Sequence, residues 1–126
     1  MPTTLDHNNV VLFTDPIKLY LFKDKNKVKV SFKITDYMVT NRDFRQHDFE
    51  HILEFWNVGE GVQGIETMGD GKVWWYHSEF GPRPECVPAN MVCINFSRFS
   101  FRMSVEEMER IKESYYHQKN NKMHWD

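Results

Sequence analysis

Alanine is nearly missing from this chain: the 126 residues hold one, Ala89, beside only five leucines. The core must therefore be built from rings. Aromatics make up 15% of the chain, with 10 Phe, 5 Tyr and 4 Trp, and each ring can bury about 150–250 Å². Cysteine is almost as scarce. Cys86 and Cys93 sit in a chain long enough to bury roughly two-thirds of its unfolded surface without staples, so free thiols are expected and a single bridge is the alternative. No apolar run approaches the ~18 residues of a membrane span, and the opening MPTTLDHNNVVLF lacks the basic segment and apolar run of an export signal. A cytoplasmic protein is expected. Strong charge of one sign is also missing. A net charge of −2 argues against general binding of nucleic acid or anionic membrane by the whole domain. Scarce alanine beside many Phe, Lys, Asn and Met is what an AT-rich coding sequence gives, which points to a phage, a mobile element or a low-GC bacterium.

The length fits one domain. Val10 to Thr14, closed by Asp15-Pro16, predicts a short first strand. Ile17, Leu19 and Leu21 alternate with Lys18, Tyr20 and Phe22; beyond the polar turn Asp24 to Lys27, Val28, Val30, Phe32 and Ile34 alternate with Lys29, Ser31, Lys33 and Thr35. This predicts an antiparallel hairpin with a lysine-rich outer face. Residues 1–35 hold six lysines against three aspartates, a net of +3 that leaves −5 for the remainder. Such a face suits solvent, where lysine discourages edge pairing, or an acidic or phosphate-bearing partner.

Asn41 or Asp43 can cap a central helix that runs to about Asn57, where Gly59 and Gly61 stop it. Phe49, Ile52, Leu53 and Trp56 form its core stripe. Gly64 to Met68 predicts a strand, Gly69-Asp70-Gly71 a tight turn and Lys72 to Phe80 the hairpin partner. In that partner Trp74, Tyr76 and Phe80 share one face, and Val73, Trp75 and His77 the other. Rings on both faces mean a strand covered twice or one face left open to bind. Three prolines stiffen the loop from Gly81 to Pro88 around Arg83. Asn90 to Met103 predicts the longest strand, but Val92, Ile94 and Phe96 are out of phase with Phe99, Phe101 and Met103, so a bulge or bend is expected near Ser97-Arg98. Ser104-Val105-Glu106-Glu107 is a capping box that opens a second helix with the stripe Val105, Met108, Ile111 and Tyr115; from about residue 118 to 126 periodicity is lost and fraying is expected. The sum is an α+β domain, an antiparallel sheet of five to six strands with one central helix and one C-terminal helix.

Two strings resemble chemistry. His47-Asp48-Phe49-Glu50-His51 sets two imidazoles one helical turn apart, a spacing that can hold zinc with the adjacent acid acting on bound water. The metalloprotease pattern wants Glu where Asp48 stands, the histidines lie opposite the core stripe, and no further His or Cys follows until His77. Solvated histidines are expected, with a small His/Asp hydrolase using His47, Asp48 and His51, with or without zinc, as an alternative. Gly59-x-Gly61-x-x-Gly64 matches a dinucleotide fingerprint formally, but follows a helix where the fingerprint needs a strand. A helix stop and loop are expected there. Cys86 with His77 or His51 lacks a protease signature, and Glu106 and Glu107 complement a helix dipole. No catalytic residue, metal or cofactor is assigned.

On the same helix, Phe44, His51 and Phe55 form a second stripe away from the core face. A helix with apolar groups on two sides is sandwiched or offers one side to a partner. Phe44, His47, His51 and Phe55, with Arg83 in the proline loop, are the expected partner-binding residues. The function expected is a small non-enzymatic binding protein that masks or inhibits another macromolecule, most simply another protein, in the manner of an inhibitor, an immunity protein or a phage anti-defence protein. A homodimer through that face satisfies the pattern equally. The alternative from another class is a small-ligand or nucleotide binder in which Trp74, Trp75 or Tyr76 stacks a base while Lys or Arg takes the phosphates.

Overall fold

The computed structural model describes residues 4–5, 10–12, 18–22, 25–35, 37–67, 71–80, 90–96 and 100–120. Two short strands, β1 (Thr4–Leu5) and β2 (Val10–Leu12), precede the hairpin of β3 (Lys18–Phe22) and β4 (Lys27–Thr35). Its turn passes through Asn26 at φ +50°, a left-handed conformation that asparagine tolerates better than most residues. Leu19, Leu21, Val28, Val30 and Phe32 are buried on one face. On the other, Lys29 lies 5.3 Å over the Tyr20 ring and Lys27 4.9 Å over Phe22, so the lysine face is partly tied down by its own aromatics.

The third strand of this sheet is β5 (Met38–Arg45), antiparallel to β4 with Val28 opposite Phe44 and Lys29 opposite Asp43. This corrects the expected helix start at Asn41 or Asp43. Strand β5 carries Thr40 and Arg42 between its apolar ends, which hides the alternation, and the ladder to β4 outweighs the capping potential of Asn41 and Asp43. The helix α1 spans Gln46–Phe55. Arg45 occupies its N-cap in an extended conformation with no side-chain cap bond; the Gln46 N–H instead donates to the Asn26 carbonyl at 2.8 Å, so the β3–β4 turn satisfies the helix end.

After α1 come β6 (Val62–Thr67), β7 (Gly71–His77), β8 (Met91–Asn95), β9 (Ser100–Ser104) and the helix α2 (Val105–Asn120). Strands β6 to β9 form a four-stranded antiparallel meander, continued beyond β9 by β2, which pairs in parallel, and then β1. The protein therefore has two sheets, not the single antiparallel sheet of five to six strands expected: β3 to β5 form one, and β6 to β9 with β2 and β1, which precede β3 in the chain, form the other. The expected strand from Asn90 to Met103 is likewise two. The phase change falls between two antiparallel strands, with Val92 opposite Met103 and Ile94 opposite Phe101, and this pairing buries all four side chains in the core; the bulge or bend expected near Ser97-Arg98 lies outside the described residues. The Gly69–Asp70 half of the expected tight turn and the whole Gly81 to Pro88 loop lie outside the described residues.

The core is aromatic, as the composition requires. Trp75 is fully buried with the Phe32, Phe44 and Phe49 rings around it at centroid distances of 6.4, 6.2 and 6.2 Å. Phe32 also stacks on Phe101 at 4.9 Å, joining the two sheets. Helix α2 closes this layer through Met108, Ile111 and Tyr115. Its start is the expected cap, the Glu107 N–H donating to Ser104 Oγ at 3.1 Å. It runs on to Asn120, past the expected onset of fraying, because Gln118 is buried and bonded: its amide accepts from the Leu21 N–H and donates to the Leu19 carbonyl, both at 3.3 Å. That side chain occupies the open edge of β3 as a neighbouring strand would. No described helix is long and apolar enough to cross a membrane.

Candidate binding site

Successive side chains of a strand point to opposite faces, and β7 has aromatics on both. Val73, Trp75 and His77 enter the core; Trp74 and Tyr76 stand on the outer face, opposite Asn95 and Cys93 of β8, and Cys93 is in turn opposite Arg102 of β9. Tyr76, Cys93 and Arg102 are buried although they lie outside the main core, whereas Trp74 is 38% exposed. Burial raises the Tyr76 pKa; Asn95 opposes the rise and Cys93 adds to it, so the hydroxyl stays protonated at neutral pH. Asn95 Nδ2 donates to that hydroxyl at 3.3 Å.

Gly61 fixes what lies above this face. Its φ is +75°, and a Cβ there would sit 2.5 Å from the Trp75 carbonyl oxygen and 2.6 Å from Tyr76 Cβ. Only glycine lets the loop after α1 press so closely on β7. That contact brings Glu60 and Gln63 to the strand, and Gln63 Nε2 donates to the Glu60 carboxylate at 3.0 Å. The result is a groove of ≈ 340 Å³ lined by Glu60, Gln63, Trp74, Tyr76 and Asn95. The glycine string is thus a loop that shapes a groove from one side, with no helix following it.

A second surface forms at the end of α1. Phe55, Val58 and Phe80 are 47%, 58% and 54% exposed. They belong to one corner: the Val58 N–H donates to the Phe55 carbonyl, Trp56 between them packs on His77 at 5.8 Å, and His77 packs on Phe80 at 5.1 Å. His51 lies on Phe55 at 4.7 Å. His77 is buried with neither ring nitrogen hydrogen-bonded, an arrangement that calls for an explanation in a folded protein. Glu54, Glu60 and Glu79, all exposed, lie beside these residues in the chain.

The expected partner-binding residues divide accordingly. His51 and Phe55 share the exposed face of α1, and His47 is exposed one turn earlier. Phe44 does not join them. It is fully buried in β5, packed on Phe49 and Trp75, because the strand register sends it inward with Val28. Arg83 lies outside the described residues. Of the alternative trio, Trp74 and Tyr76 line the groove and Trp75 is core. Sequence reasoning missed Val58, Glu60, Gln63 and Asn95; Val58, Glu60 and Gln63 are placed by the loop around Gly61, and Asn95 by its register opposite Trp74.

Asp48 is held by its neighbours, accepting from Arg45 Nε at 2.7 Å with His47 Nε2 at 3.3 Å. Among the described residues no group of three His, Cys, Asp or Glu side chains is arranged to hold a metal ion. A separate polar cluster ties α1 to α2. Glu50 accepts from Tyr115 Oη at 2.7 Å and Lys119 Nζ at 2.9 Å. Burial alone would raise the Glu50 pKa, but the bonds from Lys119 and Tyr115 more than offset it and the net shift is downward. Burial and Glu50 together raise Tyr115, while burial and the 2.8 Å bond to Glu54 push Tyr116 up to about 12. The clustered charges thus hold helices together.

No protein-family model, curated protein or solved structure matches this chain.

Proposed function

We propose that this chain is a non-enzymatic binding protein that docks another protein through the corner formed by Phe55, Val58 and Phe80. The observation that carries this reading is the exposure of three large apolar side chains, Phe55, Val58 and Phe80, where the His77 N–H donates to the Trp56 carbonyl and joins the end of β7 to the end of α1, since apolar side chains clustered at one exposed place mark interaction sites while scattered ones do not. Glu54 beside Phe55 and Glu79 beside Phe80, both exposed, select the partner's chemistry: an apolar or aromatic anchor with basic residues around it. Masking or inhibition of a macromolecule, for instance by a phage protein acting in the cytoplasm of its host, is the form of binding that the rigid aromatic frame suits. A second, small-ligand reading is favoured by the groove on β7. Its lining supplies a stacking ring but no lysine or arginine, so a nucleotide's phosphates find no partner among those residues.

The test is capture from the native host with wild type, Phe55→Ser/Phe80→Ser and Val39→Ser, the last altering an exposed apolar residue on β5. Loss of a partner by the double variant alone is expected; an anchor residue costs at least ~2 kcal/mol, about thirtyfold in affinity, and the double variant removes two. Equal recovery by all three proteins, with each folded, removes the corner as the docking site. A wild type that sediments as a dimer, with a monomeric double variant, assigns the same corner to self-association.

A further inference from the structure

The groove on the outer face of β7 has a polarity that the docking corner does not. Gln63 Nε2 points at both the Glu60 carboxylate, at 3.0 Å, and the Glu60 carbonyl, at 3.5 Å. Asn95 Nδ2 is directed to the Tyr76 hydroxyl. The amide nitrogens of the site are thus engaged with its own members, and the Glu60 carboxylate with the Gln63 and Asn95 amide oxygens supplies the acceptors among the lining residues. All three accept and none is cationic. Beside them stands the half-open Trp74 indole, and tryptophan is the aromatic that best attracts a cation over its face. A volume of ≈ 340 Å³ is at the small end of the about 300–1,000 Å³ of ligand pockets.

Phosphates, carboxylates and acceptor-rich sugars are mismatched to such a lining. An ammonium is a compact, strongly hydrated point charge. A guanidinium is planar, weakly hydrated and carries five donors, so it can stack on an indole and meet a carboxylate and two amide oxygens at its edge at once. We propose that this groove binds a guanidinium group, carried by free arginine or by an arginine side chain of a peptide. The groove's rings are not those of the docking corner: Trp74 and Tyr76 stand on the face of β7 opposite His77, and the two sites meet only in the loop that carries Val58 and Glu60, whose Gly61 N–H donates to the Val58 carbonyl.

The experiment is a titration of the full chain, followed by calorimetry and by NMR signals of the Trp74 indole and the Gln63 and Asn95 side-chain amides. The probes are free arginine, N-acetyl-arginine methylamide, the matching lysine and citrulline compounds, and guanosine. Binding of an arginine compound with a Kd of about 1 mM or tighter is expected, at least tenfold stronger than lysine or neutral citrulline. Preference for the capped compound identifies a peptide as the source, and preference for the free amino acid a metabolite. Glu60→Gln and Trp74→Ala should each weaken binding about tenfold, and Gln63→Lys, which puts a cation in the groove, should abolish it. Phe55→Ser/Phe80→Ser should leave it unchanged, so that failure of the groove and failure of the corner are told apart. Citrulline binding as well as arginine, guanosine binding more tightly than either, unchanged affinity in Glu60→Gln, or no signal with any probe up to about 10 mM overturns the proposal.

Discussion

Trp75 is fully buried with three phenylalanine rings within 6.4 Å of its own, whereas Trp74, one residue earlier, is 38% exposed and lines a groove. The two faces of β7 use the same residue type for opposite purposes. On the inner face an indole fills volume among rings contributed by the other sheet and α1. On the outer face an indole is left half open, with its neighbours Tyr76, Cys93 and Arg102 buried around hydrogen bonds and charge. A ring at one register position is therefore worth stability, and at the next is available for recognition.

The largest effect belongs to the inner face. Trp75→Ala should cost ~3–5 kcal/mol, comparable to the whole net stability of a small domain, ~5–15 kcal/mol, while Trp74→Ala should cost less than ~1 kcal/mol. Urea unfolding of both variants measures the contrast, and equal losses would erase the distinction between the faces.

Gly61→Ala comes next because its added carbon would meet the β7 backbone that carries both faces. The left-handed φ and the 2.5 Å approach to the Trp75 carbonyl put the cost at ~2–3 kcal/mol. Gly59→Ala, where φ is +54° but nothing lies within 4 Å of the added carbon, should cost only ~1 kcal/mol. Melting temperatures of the pair separate strain from collision.

A change far from β7 sharpens the contrast from outside. Glu50→Gln removes the charge that Lys119 and Tyr115 share and should cost ~1–2 kcal/mol at pH 7 without altering the NMR signals of the groove. Because the Glu50 pKa is lowered from 4.5 in the folded protein, its contribution is complete above pH 4.5 and disappears as pH falls through the lowered value. The stability gap between wild type and variant should therefore be widest near neutrality and close in acid, as read from denaturation at a series of pH values. A smaller effect than that of Glu50→Gln is expected at Ser104, whose hydroxyl caps α2: Ser104→Ala should lower stability by ~1 kcal/mol, again with the groove unchanged.

Much of this architecture is legible in the chain. The alternation of Leu19, Leu21, Val28, Val30 and Phe32 specifies a hairpin and its inner face, since a period of two buries one side only. The stripe Phe49, Ile52, Leu53 and Trp56 specifies the buried side of α1, and Ser104 with Glu107 its partner helix's first turn. The phase change between Phe96 and Phe101 is just as local, but a bulge and a hairpin both satisfy it, and only pairing across the sheet chooses between them.

What tertiary structure decided is where strand yields to helix and which aromatic stays outside. Residues Asn41 to Arg45 carry capping residues and little alternation, so sequence alone favours a helix; pairing with β4 overrides that preference and buries Phe44, and the Asn26 carbonyl, about twenty residues away, caps the helix instead. The groove has no local signature either. Glu60 and Gln63 meet Trp74 and Asn95 only because Gly61 lets one loop lie against another strand's backbone, and a contact between distant segments leaves no periodicity in the chain that makes it.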